Sequence, residues 1–215
     1  MSSHNRVTVT PVDVDAILDL RDEYRREMAC QIVHDSWHRR GFTQSYLLQS
    51  DDGVLGYGSV GGPPGEARNI VKECFVRHPF RGVALPLFRA LVETSGAAVV
   101  EAQTNDRLLL LMLYDCAKEI TTDTILFGDD TTTCHPVPPG VNLRRVGEDD
   151  HMEVAGPHRR QGFGSYLVQE LKRICREEGR TPAARCHQDN AASRRTLQRA
   201  GMFPCGRIVR GRLTR

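Results

Sequence analysis

The sequence predicts an α/β (α+β) fold, a mixed sheet with flanking helices, built as two successive halves. Three observations predict it. Strand-like and helix-like segments alternate, a stretch rich in Asp, Thr and Pro interrupts them at residues 129–140, and beyond it the same order of elements begins again. At 215 residues the chain exceeds one typical domain of ~100–150 residues and falls short of two. The expected boundaries are 1–128 for the first half, 129–140 for the linker and 141–215 for the second half.

Val7 to Val9 alternates as a short strand, and Asp13 caps an amphipathic helix running through Met28 and on towards His38. Tyr46 to Gln49 and Val54 to Val60 read as strands joined by Ser50-Asp51-Asp52-Gly53, whose Asp-Gly step is a hairpin signal. Gly61-Gly62-Pro63-Pro64-Gly65 breaks regular structure. Ile70 to Val76 is a strand, Ala84 to Thr94 a helix and Ala97 to Glu101 a strand. Arg107 to Lys118 is apolar nearly all round and so reads as a buried helix, followed by a strand at Thr124 to Phe127. After the linker come strands at Val141 to Val146 and Met152 to Ala155 and a helix from Gly162 to Glu178. A strand at Pro182 to Cys186, a helix from Ala191 stopped by Gly201, and a closing strand-like run from Met202 to Leu213 complete the chain.

Hydrophobic residues at 40% and a mean hydropathy of −0.40 describe a globular chain and exclude a disordered one. The longest apolar run, Leu108 to Tyr114, is too short for a bilayer, which needs ~20 residues. The start MSSHNR lacks the features of a signal peptide, which leads to the expectation of a cytoplasmic protein without a membrane partner. Seven cysteines at irregular spacing, with no Cys-x-x-Cys pair, read as reduced core residues. His34 and His38 lie four apart, but no second ligand pair accompanies them and no metal site is expected.

The net charge of +2 conceals a split. Residues 151–215 hold 14 Lys/Arg and 5 Asp/Glu, a balance of +9, and residues 1–150 are left at −7. A basic half suits a polyanion, either nucleic acid or a phosphorylated cofactor. Nucleic acid is disfavoured, because the arginines are not interleaved with aromatics; these make up 6% of the chain and include one Trp, Trp37.

The most informative stretch is MEVAGPHRRQGFGSYLVQELKRICREEG. A strand ends at Gly156-Pro157, a basic turn follows, and a helix starts at Gly162-Phe163-Gly164. Glycines let a backbone approach an anion closely, and the free amides of a first helical turn point at it with the helix dipole behind them. Arg159 and Arg160 add full charge. The turn is not a Walker A loop, since no Gly-Lys-Ser/Thr follows, and Leu167 stands where a dinucleotide fingerprint needs its third glycine. A second element, QDNAASRRTLQRAGM, places Asn190 and Ser193 three apart on the first turn of another helix, where an amide and a hydroxyl face the same way. Plain N-capping by Asn190 is the alternative reading.

Together and in this order, these elements resemble the GNAT superfamily of acyl-CoA-dependent N-acetyltransferases. The resemblance covers residues 151–205: the Arg-x-x-Gly-x-Gly loop (Arg159, Gly162, Gly164) with its helix, then Asn-x-x-Ser ahead of Gly-Met where Gly-Phe is usual. It implies that the amides from Gln161 through Gly162, Phe163, Gly164 and Ser165 bind the pyrophosphate of acetyl-CoA, beside Arg159 and Arg160. It further implies that the backbone of Met152 to Val154 pairs with pantetheine, and that Asn190 supports that arm. The strings GSYLVQELKR, ASRRTL and AGMFPCGR look like a bacterial subgroup whose N-terminal half is itself acyltransferase-like.

The first half carries a degenerate copy of the same block. VRHPFR at Val76 to Arg81 parallels VAGPHR at Val154 to Arg159, and Asn105 stands where the second copy has Asn190. Ala84 and Pro86 replace the two glycines, and Pro86 offers no amide hydrogen, so the first copy is not expected to bind CoA. The second copy looks truncated between Val146 and His151, where such folds place helices that wall the acceptor site. Residues 1–60 or a partner subunit, with a homodimer as one option, would have to supply that wall.

The implied chemistry is direct attack of an amine, from a small molecule or a protein, on the acetyl thioester. The Val154 amide polarises the carbonyl, Glu153 accepts the amine proton, with His151 as second choice, and Ser193 replaces the usual acid because Leu197 occupies the position where the family often has Tyr. The alternative is a CoA-binding pseudoenzyme with an incomplete acceptor site.

Overall fold

The computed structural model describes residues 7–27, 32–51, 53–140, 157 and 159–214. They form two compact units, Met1–Asp123 with Arg207–Arg215, and Thr124–Gly206. These contact boundaries differ from those read at 128 and 141: the last strand leaves the second unit at Gly206 and completes the first.

In the first unit β1 (Thr8–Val12) leads through a 3-10 turn, Val14–Ile17, into α1 (Leu18–Glu27) and then α2 (Asp35–Arg39). The single long helix expected from Asp13 towards His38 is therefore at least two. β2 (Thr43–Ser50) and β3 (Gly53–Gly61) form the hairpin signalled by Asp-Gly, closing at Ser50 opposite Gly53. β4 (Ile70–Val76), a 3-10 turn at His78–Val83, α3 (Ala84–Ser95), β5 (Val99–Gln103) and α4 (Arg107–Cys116) follow. β6 (Ala117–Asp129) begins here and ends in the second unit.

β1 to β4 pair antiparallel in sequence order, β4 and β5 pair parallel at Ile70–Val99 and Val71–Val100, and β8 (Met202–Leu213) pairs antiparallel with β5. The strands at 43–61 thus extend the sheet of β4. The core is made by stripes at helical spacing: Ala84, Leu87, Phe88 and Leu91 of α3 pack with Tyr57, Phe75, Leu109 and Leu113. α4 is less buried than its composition suggests, since Leu111 and Tyr114 are exposed.

One buried ionic cluster ties this unit together. Glu73 on β4, 1% exposed, accepts from Arg21 Nη2 at 3.1 Å and Nε at 3.3 Å, from the Tyr57 hydroxyl at 3.2 Å, and lies 3.1 Å from His38 Nε2. Burial alone would raise the carboxyl, but His38 and Arg21 hold it at about 2. His38 also uses its Nδ1, 2.8 Å from Thr43 Oγ1, so both histidine nitrogens are engaged inside the fold.

The second unit contains the end of β6, α5 (Phe163–Glu177), β7 (Ala183–His187), α6 (Ala191–Arg199) and the start of β8. β6 and β7 pair antiparallel, and Ile125, Phe127, Cys186, Leu197 and Met202 form a small core of their own. The strands expected at 141–146 and 152–155 lie outside the described residues.

The stretch 129–140 is no free tether. Gln169 of α5 grips His135 by its amide at 2.6 Å, and the Lys172 ammonium bonds Thr131 O (2.8 Å), Ala200 O (2.5 Å) and Asp129 Oδ1 (2.8 Å). Of the described cysteines, Cys74, Cys116 and Cys186 are buried as expected, whereas Cys134 and Cys205 are exposed; all are free thiols.

Replacing Glu73 by Ala removes the buried partner of the Arg21 guanidinium and leaves it Asp35 at 3.0 Å, which should cost the first unit about 3 kcal/mol. Denaturant unfolding followed by the fluorescence of Trp37, which lies under the Lys72 ammonium at 4.6 Å, reads this unit selectively. Because the folded pKa is depressed, the contribution is fully present above the ordinary 4.5 and fades as pH falls through about 2, narrowing the gap between wild type and variant. An unchanged unfolding midpoint at neutral pH contradicts this role.

Candidate cofactor cleft

The turn into α5 is set by two left-handed residues, Arg160 (φ 64°) and Gly162 (φ 88°, the helix N-cap). Left-handed backbone is easy for glycine and costs an arginine of order 1 kcal/mol, a strain typical of functional turns. The Tyr166 amide closes the first turn onto Gly162 O at 3.0 Å, so the amides ahead of it, Gly164 and Ser165 among them, have no carbonyl within the helix to bond. They carry the positive end of a 15-residue helix dipole.

α6 begins at Asn190, whose side-chain oxygen accepts the Ser193 amide at 2.9 Å. The capping reading is therefore met by its oxygen, and its amide NH2 is left for other partners. An open cleft of about 1160 Å³ lies over the two helix starts. It brings together Arg159, Arg160, Gly162, Phe163, Gly164, Ser165, Asn190 and Ser193. Gln161 sits on the same turn, but its side chain folds back to donate to Pro157 O at 3.1 Å and does not line the cleft. Met152, Glu153 and Val154, with His151, lie outside the described residues.

Three arginines line the cleft that the motif reading did not single out: Arg185 on β7, and Arg195 and Arg199 on α6. Their signal was present as i, i+4 spacing in ASRRTLQR, which equally describes a solvated helix face. Leu197 is 6% exposed and belongs to the small core. Cys186 also faces that core, and burial raises its thiol pKa, the opposite of what a nucleophile needs.

Gly164 serves packing as well as anion approach. A Cβ there would stand 3.1 Å from Thr196 Cγ2, so the missing side chain is what lets α5 and α6 meet at this point.

The matching place in the first unit is built differently. Its helix is entered through a 3-10 turn from Val83 at φ −110°, without a left-handed residue. Arg77 and Arg81, at the corresponding turn, are neutralised by Glu23 (2.6 Å) and Glu27 of α1. Asp106, the residue after Asn105, caps α4 by accepting the Leu109 amide at 3.1 Å, three residues on, as Asn190 caps α6. Beside β5, Gln103 holds Ile32 by both its amide (2.9 Å) and carbonyl (2.7 Å), and what remains is a void of about 10 Å³, the size of one water.

Backbone amides at a helix start, with arginines beside them, can hold an anionic ligand such as a phosphate. Residues 131–202 match the family described as Acetyltransferase (GNAT) family. The chain is similar in structure to an acetyltransferase of the GNAT family from Colwellia psychrerythraea (TM-score 0.75, 12% identity, covering 96% of this chain and 100% of that one). It is also similar to a tandem GNAT protein of the clavulanic acid biosynthesis pathway (TM-score 0.62, 14% identity, 98% and 99% covered). A third likeness is to a GCN5-related N-acetyltransferase from Sphaerobacter thermophilus (TM-score 0.54, 15% identity, 98% and 96% covered). At these identities the likenesses establish the fold. No curated protein matches the chain. No helix among the described residues is long and apolar enough to cross a membrane.

Gly164→Ala should weaken cofactor binding several-fold and lower thermal stability by about 1 kcal/mol, through the Thr196 contact. Thr196→Ala in the same chain removes the obstructing methyl and should restore both in calorimetry and melting. Failure of the second substitution to rescue the first would show that Gly164 acts otherwise than by packing.

Proposed function

We propose that the second unit binds acetyl-CoA and that the protein transfers the acetyl group to an amine of a small molecule or protein. The observation that carries this reading is the cleft of about 1160 Å³ at the N-terminal ends of α5 and α6, lined by five arginines and, among the described residues, by no carboxylate. That donor set fits a diphosphate: backbone amides of Gly164 and Ser165 on its oxygens, and Arg159 and Arg160 beside them. Asn190, its oxygen used in the cap, donates through its NH2 to a pantetheine carbonyl.

The cofactor supplies an activated acyl group as a thioester. The protein's task is to hold it, to keep the amine neutral and to stabilise the oxyanion. In this reading Met152 and Val154 offer strand backbone to pantetheine and the thioester carbonyl. Glu153 takes the proton from the attacking amine, with His151 as its substitute, and Ser193 donates to the leaving thiolate. The first half, at 1–128, is a degenerate copy. Its basic turn is neutralised by α1, and the space beside β5 is filled by Ile32 and Gln103.

Acetyl-CoA at 100-fold its Kd should stabilise the chain by about 2.7 kcal/mol by mass action. Release of free CoA thiol on adding members of an amine panel tests transfer. Stabilisation without thiol release would leave a CoA-binding protein only, and no stabilisation at millimolar acetyl-CoA would refute the cofactor assignment.

A further inference from the structure

Two sets of arginines in the second unit differ, with Arg194 in neither. On α5 and just past its end they are matched with acids: Arg173 with Glu170 (2.9 Å) and Glu177 (2.6 Å), Arg176 with Asp129 (2.6 Å), and Arg180 with Glu178. In the cleft, Arg160, Arg185, Arg195 and Arg199 have no ion-pair partner among the described residues. Arg195 has one neutral contact, from Nε to Ala191 O at 3.3 Å. Cations left unmatched on one concave wall, while their neighbours are matched, repel one another unless an anionic ligand joins them.

The diphosphate assigned to the α5 turn uses Arg159 and Arg160. Arg185, Arg195 and Arg199 remain. They come from β7 and from two successive turns of α6, not from the glycine turn, and line the same cleft. The cleft is at least as large as a typical site for a drug-sized ligand, and can hold the nucleotide end of a cofactor as well as its diphosphate.

Resting on the acetyl-CoA reading above, we infer that Arg185, Arg195 and Arg199 bind the ribose phosphomonoester of CoA and make the protein select CoA over its dephospho form. A dianionic phosphomonoester offers three acceptor oxygens, and guanidinium forks from two elements can share them. Arg159 and Arg160 then govern affinity for both forms, whereas the α6 pair governs the difference between them.

Titration calorimetry on the full chain with acetyl-CoA and acetyl-dephospho-CoA tests the assignment. Wild type should prefer acetyl-CoA by about tenfold or more, the effect of one charge-assisted contact. Arg195→Ala/Arg199→Ala should bring that ratio close to one by weakening acetyl-CoA alone, and Arg195→Lys/Arg199→Lys should retain part of it. Unaltered melting of the unliganded variants checks the fold. Equal binding of both ligands by wild type, or equal weakening of both in the alanine variant, would overturn the inference while leaving the cofactor reading intact. Binding of neither ligand by wild type would overturn both.

Discussion

The second unit depends on the ammonium of Lys172. This side chain, 3% exposed, bonds the carbonyls of Thr131 and Ala200 and the carboxylate of Asp129, and so joins the middle of α5, the end of α6 and the stretch leading away from β6. A cation at the C-terminal carbonyls of α6 also answers that helix's dipole. Burial raises the Asp129 carboxyl, but Lys172 and Arg176 together hold it below its ordinary value. With α5 and α6 locked there and in contact at Gly164 and Thr196, their N-terminal ends have a fixed spacing. An anion cradle made of two helix starts needs that rigidity.

The units differ in how charge is settled. In the first, the basic turn after β4 is covered by acids one and two turns along α1, and Glu73 with Arg21 and His38 fills the interior. Such buried pairs contribute specificity more than net stability, because desolvation offsets most of their attraction. In the second, carboxylates meet Arg173 and Arg176 of the helix body, whereas Arg160, Arg185, Arg195 and Arg199 of the cleft have no ion-pair partner among the described residues. The overall charge of +2 hides this difference, which is one of placement and not of amount.

Much of the fold was legible because its signals are local. The Asp-Gly step announced the β2–β3 hairpin, and the apolar spacing of α3 and the Gly201 stop of α6 were met within a residue or two. The misses were decided by tertiary contacts. The start of β6 at Ala117 was not legible because its polar first half, Lys118 to Asp123, is exposed and lacks the apolar alternation expected of a strand. Leu111 and Tyr114 looked buried because composition cannot tell which face of a helix meets water. The glycine turn and Asn190 were readable because a positive φ and a cap require particular residue types. Arg185, Arg195 and Arg199 were not, since an arginine facing a ligand and one facing solvent look alike in sequence until the partners of their neighbours are known.

We propose that the second unit, and not the first, holds the cofactor. Hydrogen exchange of the full chain with and without acetyl-CoA tests it most directly, because amides that bind phosphate, or lie beneath it, exchange more slowly. Added protection is expected at residues 162–166 and 190–194, with 70–76 and 99–103 unchanged. Protection centred on the β4 and β5 segments, with the α5 and α6 starts unaffected, would contradict it.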